Sequence, residues 1–240
     1  MRLRWLLLLV LALPVVAGCS GADAGRAQLL LTQAQEAQKA ISSESFAMHV
    51  TIQAKDQKAE VSLNGGAYLK GARAGDMVMD MKLSAPVALP FGTMRIAKVG
   101  PSAWMEMNGK RTDFPASTGA TMQQSTLGAF DFTRYVKDVK VQGGQVLQGK
   151  QVTKIVGILD TAALVKGMTK LGSVAGSAGL PGLGGKVGDT RVVIYIDDAT
   201  HLLVAALADV TMDSDSGSVK LHLDFAISDV DRPVAALSSS

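Results

Sequence analysis

The last long run of the chain, SVKLHLDFAIS, alternates without a break. Val219, Leu221, Leu223, Phe225 and Ile227 fall on one side, and Lys220, His222 and Asp224 on the other. Successive side chains of an extended strand point to opposite faces, so the run fits a sheet with one apolar and one wet face and fits no helix. The signature recurs. In SFAMHVTIQA, Phe46, Met48, Val50 and Ile52 oppose His49, Thr51 and Gln53. Val61, Leu63, Ala67 and Leu69 continue the alternation in AEVSLNGGAYLKG, and Met77, Met79, Met81 and Leu83 in DMVMDMKLSA. Shorter strands are predicted at 93–99 and 103–108, with Asn108-Gly109 as a tight turn, and longer ones at 139–147, 150–159, 191–196 and 201–212. Short polar connections between such runs predict an antiparallel meander.

Three stretches break the period of two. Residues 23–43 are rich in Ala, Gln and Leu, with Leu30, Ala34, Ala37 and Ile41 on one stripe. They predict an amphipathic helix capped by Asp23. The Gly- and Ala-containing segment 118–137 predicts a loop with a short helix near 131–136. Asp160-Thr161 predicts the cap of another, reaching about residue 171. Residues 172–189 carry seven glycines between Gly172 and Gly188 but complete neither G-x-G-x-x-G nor G-x-x-x-x-G-K-[ST], so they read as a flexible loop and not a phosphate cradle.

The N-terminus adds an address. Arg2 and Arg4 precede an apolar stretch running from Trp5 to Val16, which leads into Val16-Ala17-Gly18-Cys19. A dozen apolar residues are too few to span a bilayer, which takes about 20 in a helix. The charges, the short apolar core, the small residues and the thiol form the lipobox of a bacterial lipoprotein. Residues 1–18 are expected as signal peptide and 19–240 as a single domain. Cys19, the one cysteine, would carry diacylglycerol and palmitate-type chains that hold the protein at the extracytoplasmic face of the cell membrane. No second cysteine is there to pair with it.

Composition removes several alternatives. Discounting Arg2 and Arg4 turns 24 basic residues into 22 against 21 acidic ones, so no basic field for nucleic acid remains. The histidines, His49, His201 and His222, form no spaced ligand cluster with acidic residues, so no metal and no cofactor is expected. No G-x-S-x-G elbow occurs, and Asp197-Asp198 and Asp213/Asp215 fall where turns are predicted. Nothing in the sequence carries catalysis, and an enzyme is not expected.

What the chain does have is methionine. Six of its eleven, Met77, Met79, Met81, Met94, Met105 and Met107, fall within one stretch of 31 residues, while aromatic residues make up only 5%. Methionine is flexible and polarizable, and it lines surfaces that adapt to ligands of variable shape. A wide sheet with one apolar face and few helices to cover it leaves a trough. The inner-face candidates are Met48, Val50, Ile52, Val61, Leu63, Met77, Met79, Met81, Leu83, Met94, Ile96, Leu221, Leu223 and Phe225.

In order, the lipobox, the Ala/Gln-rich helix, SFAMHVTIQ, WMEMNGKRTDF, GQVLQGKQVTKIVGILDTAALV, RVVIYIDDATHLLVAALADV and LHLDFAISDVDRPV resemble the LppX/LprG group of envelope lipoproteins. That group is similar to the LolA and LolB carriers, and the resemblance spans about residues 29–234. It implies an α+β, mainly β fold, a curved antiparallel half-barrel of about 9 to 11 strands with helices on its open concave side. It also implies a monomer that binds a lipid or glycolipid in a hydrophobic cavity and assists its transfer, with an envelope transporter as a candidate partner. The alternative is a non-transporting envelope lipoprotein that uses the same fold for protein interaction or lipid sensing. The Gly-rich stretch and the scarcity of aromatic residues depart from the group's pattern.

Overall fold

The computed structural model describes residues 19–55, 57–85, 92–115, 135–160, 186–187, 190–214 and 217–238. A helix, α1 (Cys19–Ala40), leads into six strands: β1 (Ser43–Ala54), β2 (Gln57–Tyr68), β3 (Met77–Ser84), β4 (Thr93–Val99), β5 (Ser102–Met107) and β6 (Lys110–Phe114). The second half supplies β7 (Val136–Leu147), β8 (Lys150–Leu159), β9 (Lys186–Val187), β10 (Thr190–Asp197), β11 (Leu203–Ser214) and β12 (Gly217–Ser228), then a single helical turn, α2 (Ala235–Ser238). All the pairings are antiparallel. They form one sheet in the order β6-β5-β4-β3-β2-β1-β12-β11-β10-β8-β7, with β9 joined to β11 off that path.

Two meanders therefore meet in the middle. The first fans out from β1 to one edge, and the second returns from the other edge to lay β12 against β1, with Phe46 opposite Ile227, Met48 opposite Phe225 and Val50 opposite Leu223. The hairpins show why the register is fixed. Asn108 (φ 52°) and Gly109 (φ 77°) both take the left-handed conformation that a two-residue turn between β5 and β6 requires, and Gln148 and Gly149 (φ 51° and 79°) repeat the device between β7 and β8.

The fold is mainly β as expected, and the eleven strands of the continuous path stand at the top of the expected range, with β9 joined off it. The added strands are β6, all but one of whose side chains are polar, and β9. β9 falls within the predicted loop 172–189, where Val187 pairs with Met212 and Lys186 with Asp213. Among the described residues one long helix lies on the sheet. The shorter helices expected near 131–136 and 160–171 fall almost wholly outside the described residues, as do residues 1–18 and most of the Gly-rich stretch.

α1 also differs in detail. It spans Cys19–Ala40, so Asp23 stands within it and does not cap its start. Its buried stripe is Ala27, Leu31 and Ala34, continued by Ile41 beyond its end, with Leu30 and Ala37 only half-buried on its flank. That stripe joins Phe46, Leu63, Ile155, Val192, Ile194, Ala206, Ala208 and Phe225 in the main core, all on one face of the sheet. Two smaller clusters lie on the opposite face. Val78 and Ala97 are covered by Val234 and Leu237, while Val152, Tyr195, Val204 and Ala205 form the other.

Candidate functional site: an apolar sheet face half covered by one helix

The register places all fourteen inner-face candidates on the same side of five neighbouring strands. Met48 faces Leu63 and Phe225, and Val50 faces Val61 and Leu223. Ile52 faces Leu221, Leu63 faces Met81, and Val61 faces Leu83; Met79 then faces Ile96 and Met81 faces Met94. Met77 shares the parity of Met79 and Met81 on β3. The side is the one that α1 covers, because Phe46, Leu63 and Phe225 belong to the cluster that Leu31 enters.

Burial on this face is graded. Phe225 (1% exposed), Met77 (3%) and Leu63 (4%) are fully enclosed. The other eleven candidates are only half-buried, as is Met105 opposite Ile96, while Met107 opposite Met94 is exposed. A strand advances about 3.3 Å per residue and strands sit about 4.8 Å apart. The face therefore runs roughly 20 Å from Phe46 to Ile52 and about as far from β4 to β12. It is a contiguous, mostly half-buried apolar surface, comparable in extent with the largest apolar patches that monomeric proteins leave at their surface, which are often functional.

No family model matches the chain, and no curated protein matches it. Among solved structures, LprF from Mycobacterium bovis superposes with a TM-score of 0.55 at 19% identity, over 89% of this chain and 96% of LprF. The chain has the fold of LprF. The lipoprotein LppX from Mycobacterium tuberculosis overlays with a TM-score of 0.47 at 16% identity, over 88% of this chain and 97% of LppX. The resemblance to the LppX/LprG group read from the sequence is thus found again in three dimensions, as a shared fold.

The LprF-like sheet extends the apolar side beyond the candidates. Ala206 and Ala208 on β11 face Phe225 and Leu223, Ile194 and Val192 on β10 face those alanines, and Ile155 on β8 faces Ile194. Residues 191–196 and 201–212 read in the sequence as clear alternation, but for β10 the structure corrects this. β10 is apolar on both faces, with Val192, Ile194 and Ile196 in the main core and Val193 and Tyr195 in the cluster behind it. Parity carries no information where both faces are covered.

One ionisable group stands at the closed end of the LprF-like face. Glu44 shares the parity of Phe46 on β1, is 8% exposed, and receives a hydrogen bond from the Gln38 side-chain amide of α1. Burial pushes its carboxyl up to about 7, only partly countered by that hydrogen bond. Gln38 Oε1 is buried with no hydrogen-bond partner. Sequence reasoning missed this pair, because a Glu at the foot of a strand looks like a surface residue. Among the described residues no group of three or more His, Cys, Asp and Glu is placed to hold a metal, and no helix is long and apolar enough to cross a membrane.

Proposed function

We propose that the chain is a membrane-anchored lipoprotein that holds acylated lipids or glycolipids against its helix-bearing face and hands them between layers of the envelope, without catalysing a reaction. The observation that carries this reading is the contiguous set of half-buried Met, Val, Ile and Leu side chains on β4, β3, β2, β1 and β12. Fatty-acyl chains laid on that face would remove apolar surface from water at about 25 cal/mol per Å². Its width of several strand spacings suits more than one chain side by side. Methionine at Met79, Met81 and Met94 lets the lining adapt to chains of different length and unsaturation.

The lipobox supplies the second half of the reading. Cys19, the proposed lipid-attachment residue, opens α1, and the buried stripe of that same helix seals one end of the apolar face. Anchor and binding face would thus be joined by a single rigid element about 33 Å long. On this reading the protein sits at the extracytoplasmic side of the membrane as a monomer and passes lipid to a neighbouring envelope component within the reach of its tether.

Native mass spectrometry of the unacylated protein tests the assignment. Met79→Trp and Leu223→Trp fill the half-buried region and are expected to stay folded while losing lipid loading. Folded variants that load lipid like the wild type would show that the face is not the binding surface.

A further inference from the structure

The other side of the same strands carries a polar depression whose polar side chains the lipid reading does not use, although Met81 and Met94 also border it. On β2 to β5, Ser62, Asn64, Asp80, Lys82, Thr93, Arg95 and Glu106, together with Asn108 in the β5–β6 turn, line a cavity of about 280 Å³. The register builds it as two cross-strand rows. Asn64 faces Asp80, Asp80 faces Arg95 and Arg95 faces Glu106, while Ser62 faces Lys82 and Lys82 faces Thr93.

The chemistry of the lining is specific. Arg95 and Asp80 neutralise each other, with Nε 2.9 Å from Oδ1 and Nη2 donating to Oδ2 at 3.3 Å. The Nε–H nevertheless does not aim at the carboxylate: it is a buried donor without a hydrogen bond. Among the described residues Lys82 and Glu106 make no ion pair, which leaves one free cation and one free carboxylate beside the Asn64 amide and the Thr93 hydroxyl. Two positive and two negative groups make the depression neutral as a whole. An anion would meet Asp80 and Glu106, a cation would meet Lys82 and Arg95, and an apolar ligand would strip water from all four charges. A neutral ligand bearing many hydroxyl groups can accept from the Lys82 ammonium and donate to the Glu106 carboxylate at the same time. The volume falls just below the usual range for small-molecule sites, about 300–1,000 Å³, which suits a single ring and not an extended chain.

We propose that this depression is a binding site for a neutral sugar unit, independent of the apolar face and directed away from it. The protein would then hold lipid on one side of its sheet and a saccharide on the other.

Two-dimensional ¹H–¹⁵N spectra of the protein lacking residues 1–18, with Cys19 replaced by Ser, test this by titration. The probes are methyl α-mannopyranoside, methyl β-glucopyranoside and methyl β-galactopyranoside, with sodium phosphate as a separate arm. The expected result is saturable shifts at the amides of Asn64, Asp80, Lys82, Arg95 and Glu106 with at least one glycoside. Glu106→Ala should weaken that affinity about tenfold or more, as should the independent variant Asn64→Ala should the first not fold. The proposal is overturned if none of the three glycosides gives saturable shifts there, if phosphate alone does, or if the folded variants bind the glycoside as the wild type does. Lipid loading of the apolar face should be unaffected by either variant, so failure here and failure of the lipid reading are separable.

Discussion

The Gln38 side-chain amide of α1 donates to the buried Glu44 carboxylate at the foot of β1, and the same amide keeps its own oxygen buried without a partner. Glu44 titrates near 7 in the folded protein, against an ordinary value of 4.5, because burial disfavours its charge. The folded state therefore holds a proton that the unfolded chain has released between about pH 4.5 and 7. Its contribution is fully present below that window and is lost as pH rises through it, by up to about 3 kcal/mol. Urea unfolding at about pH 5 and pH 8 should show the fall, and Glu44→Gln should flatten it and be the more stable protein at the higher pH.

An opposite pH dependence is expected from the β10–β11 turn. Burial of Asp197 works against its ionisation, but the amides of Ala199 (2.9 Å) and Thr200 (3.2 Å) and the Lys150 ammonium (3.6 Å) outweigh it and hold the carboxyl below its usual range. The stability it gives is present above the ordinary carboxylate value and disappears as pH falls through the lowered one. Asp197→Asn should cost about 1–2 kcal/mol at neutral pH and progressively less in acid, as read by thermal unfolding.

Gly65 on β2 lies under the Phe46 ring. A Cβ there would come within 2.5 Å of both the ring and the Val78 carbonyl oxygen. The backbone oxygen cannot step aside as a flexible side chain would, so Gly65→Ala should destabilise by about 1–3 kcal/mol, measured by chemical denaturation. Gly25, where a Cβ meets nothing, is the control position.

The segment after β12 closes the opposite face. Val234 and Leu237 cover Val78 and Ala97, the Val234 amide donates to the Tyr68 hydroxyl at 3.1 Å, and Arg73 stacks over the Tyr68 ring at 4.4 Å while donating to the Leu237 carbonyl. Leu237→Ala should therefore cost about 2 kcal/mol despite its place near the end of the chain. A thermal midpoint equal to that of the wild type would show the clasp to be idle.

The parts of this fold legible in the sequence are those where one face is wet. β1, β2, β3 and β12 could be read to within a few residues, and their parity put Met48, Met79 and Leu223 on a common side, because a polar partner such as His49, Asp80 or His222 marks the other face. β6 was silent, since Lys110, Arg111, Thr112 and Asp113 carry no apolar alternation; charge on an edge strand guards against pairing with other chains and erases the signal. β9 was silent because two residues give no period. Half of the helix stripe was legible: Ala34 and Ile41 are buried as expected, while Ala27 and Leu31 replace Ala37 and Leu30, because small Ala side chains let neighbouring stripes look equally apolar. Ala27, Leu31 and Ala34 are the side chains that α1 buries in the main core, where it packs against β7.

The central claim is that the half-buried apolar face carries lipid. Its most direct test is mass spectrometry of organic extracts from the purified, unacylated protein, with Met79→Trp and Leu223→Trp carried in parallel. The account predicts acylated lipids in stoichiometric amount from the wild type and little from the folded tryptophan variants. An empty wild-type protein, purified without detergent, would contradict it.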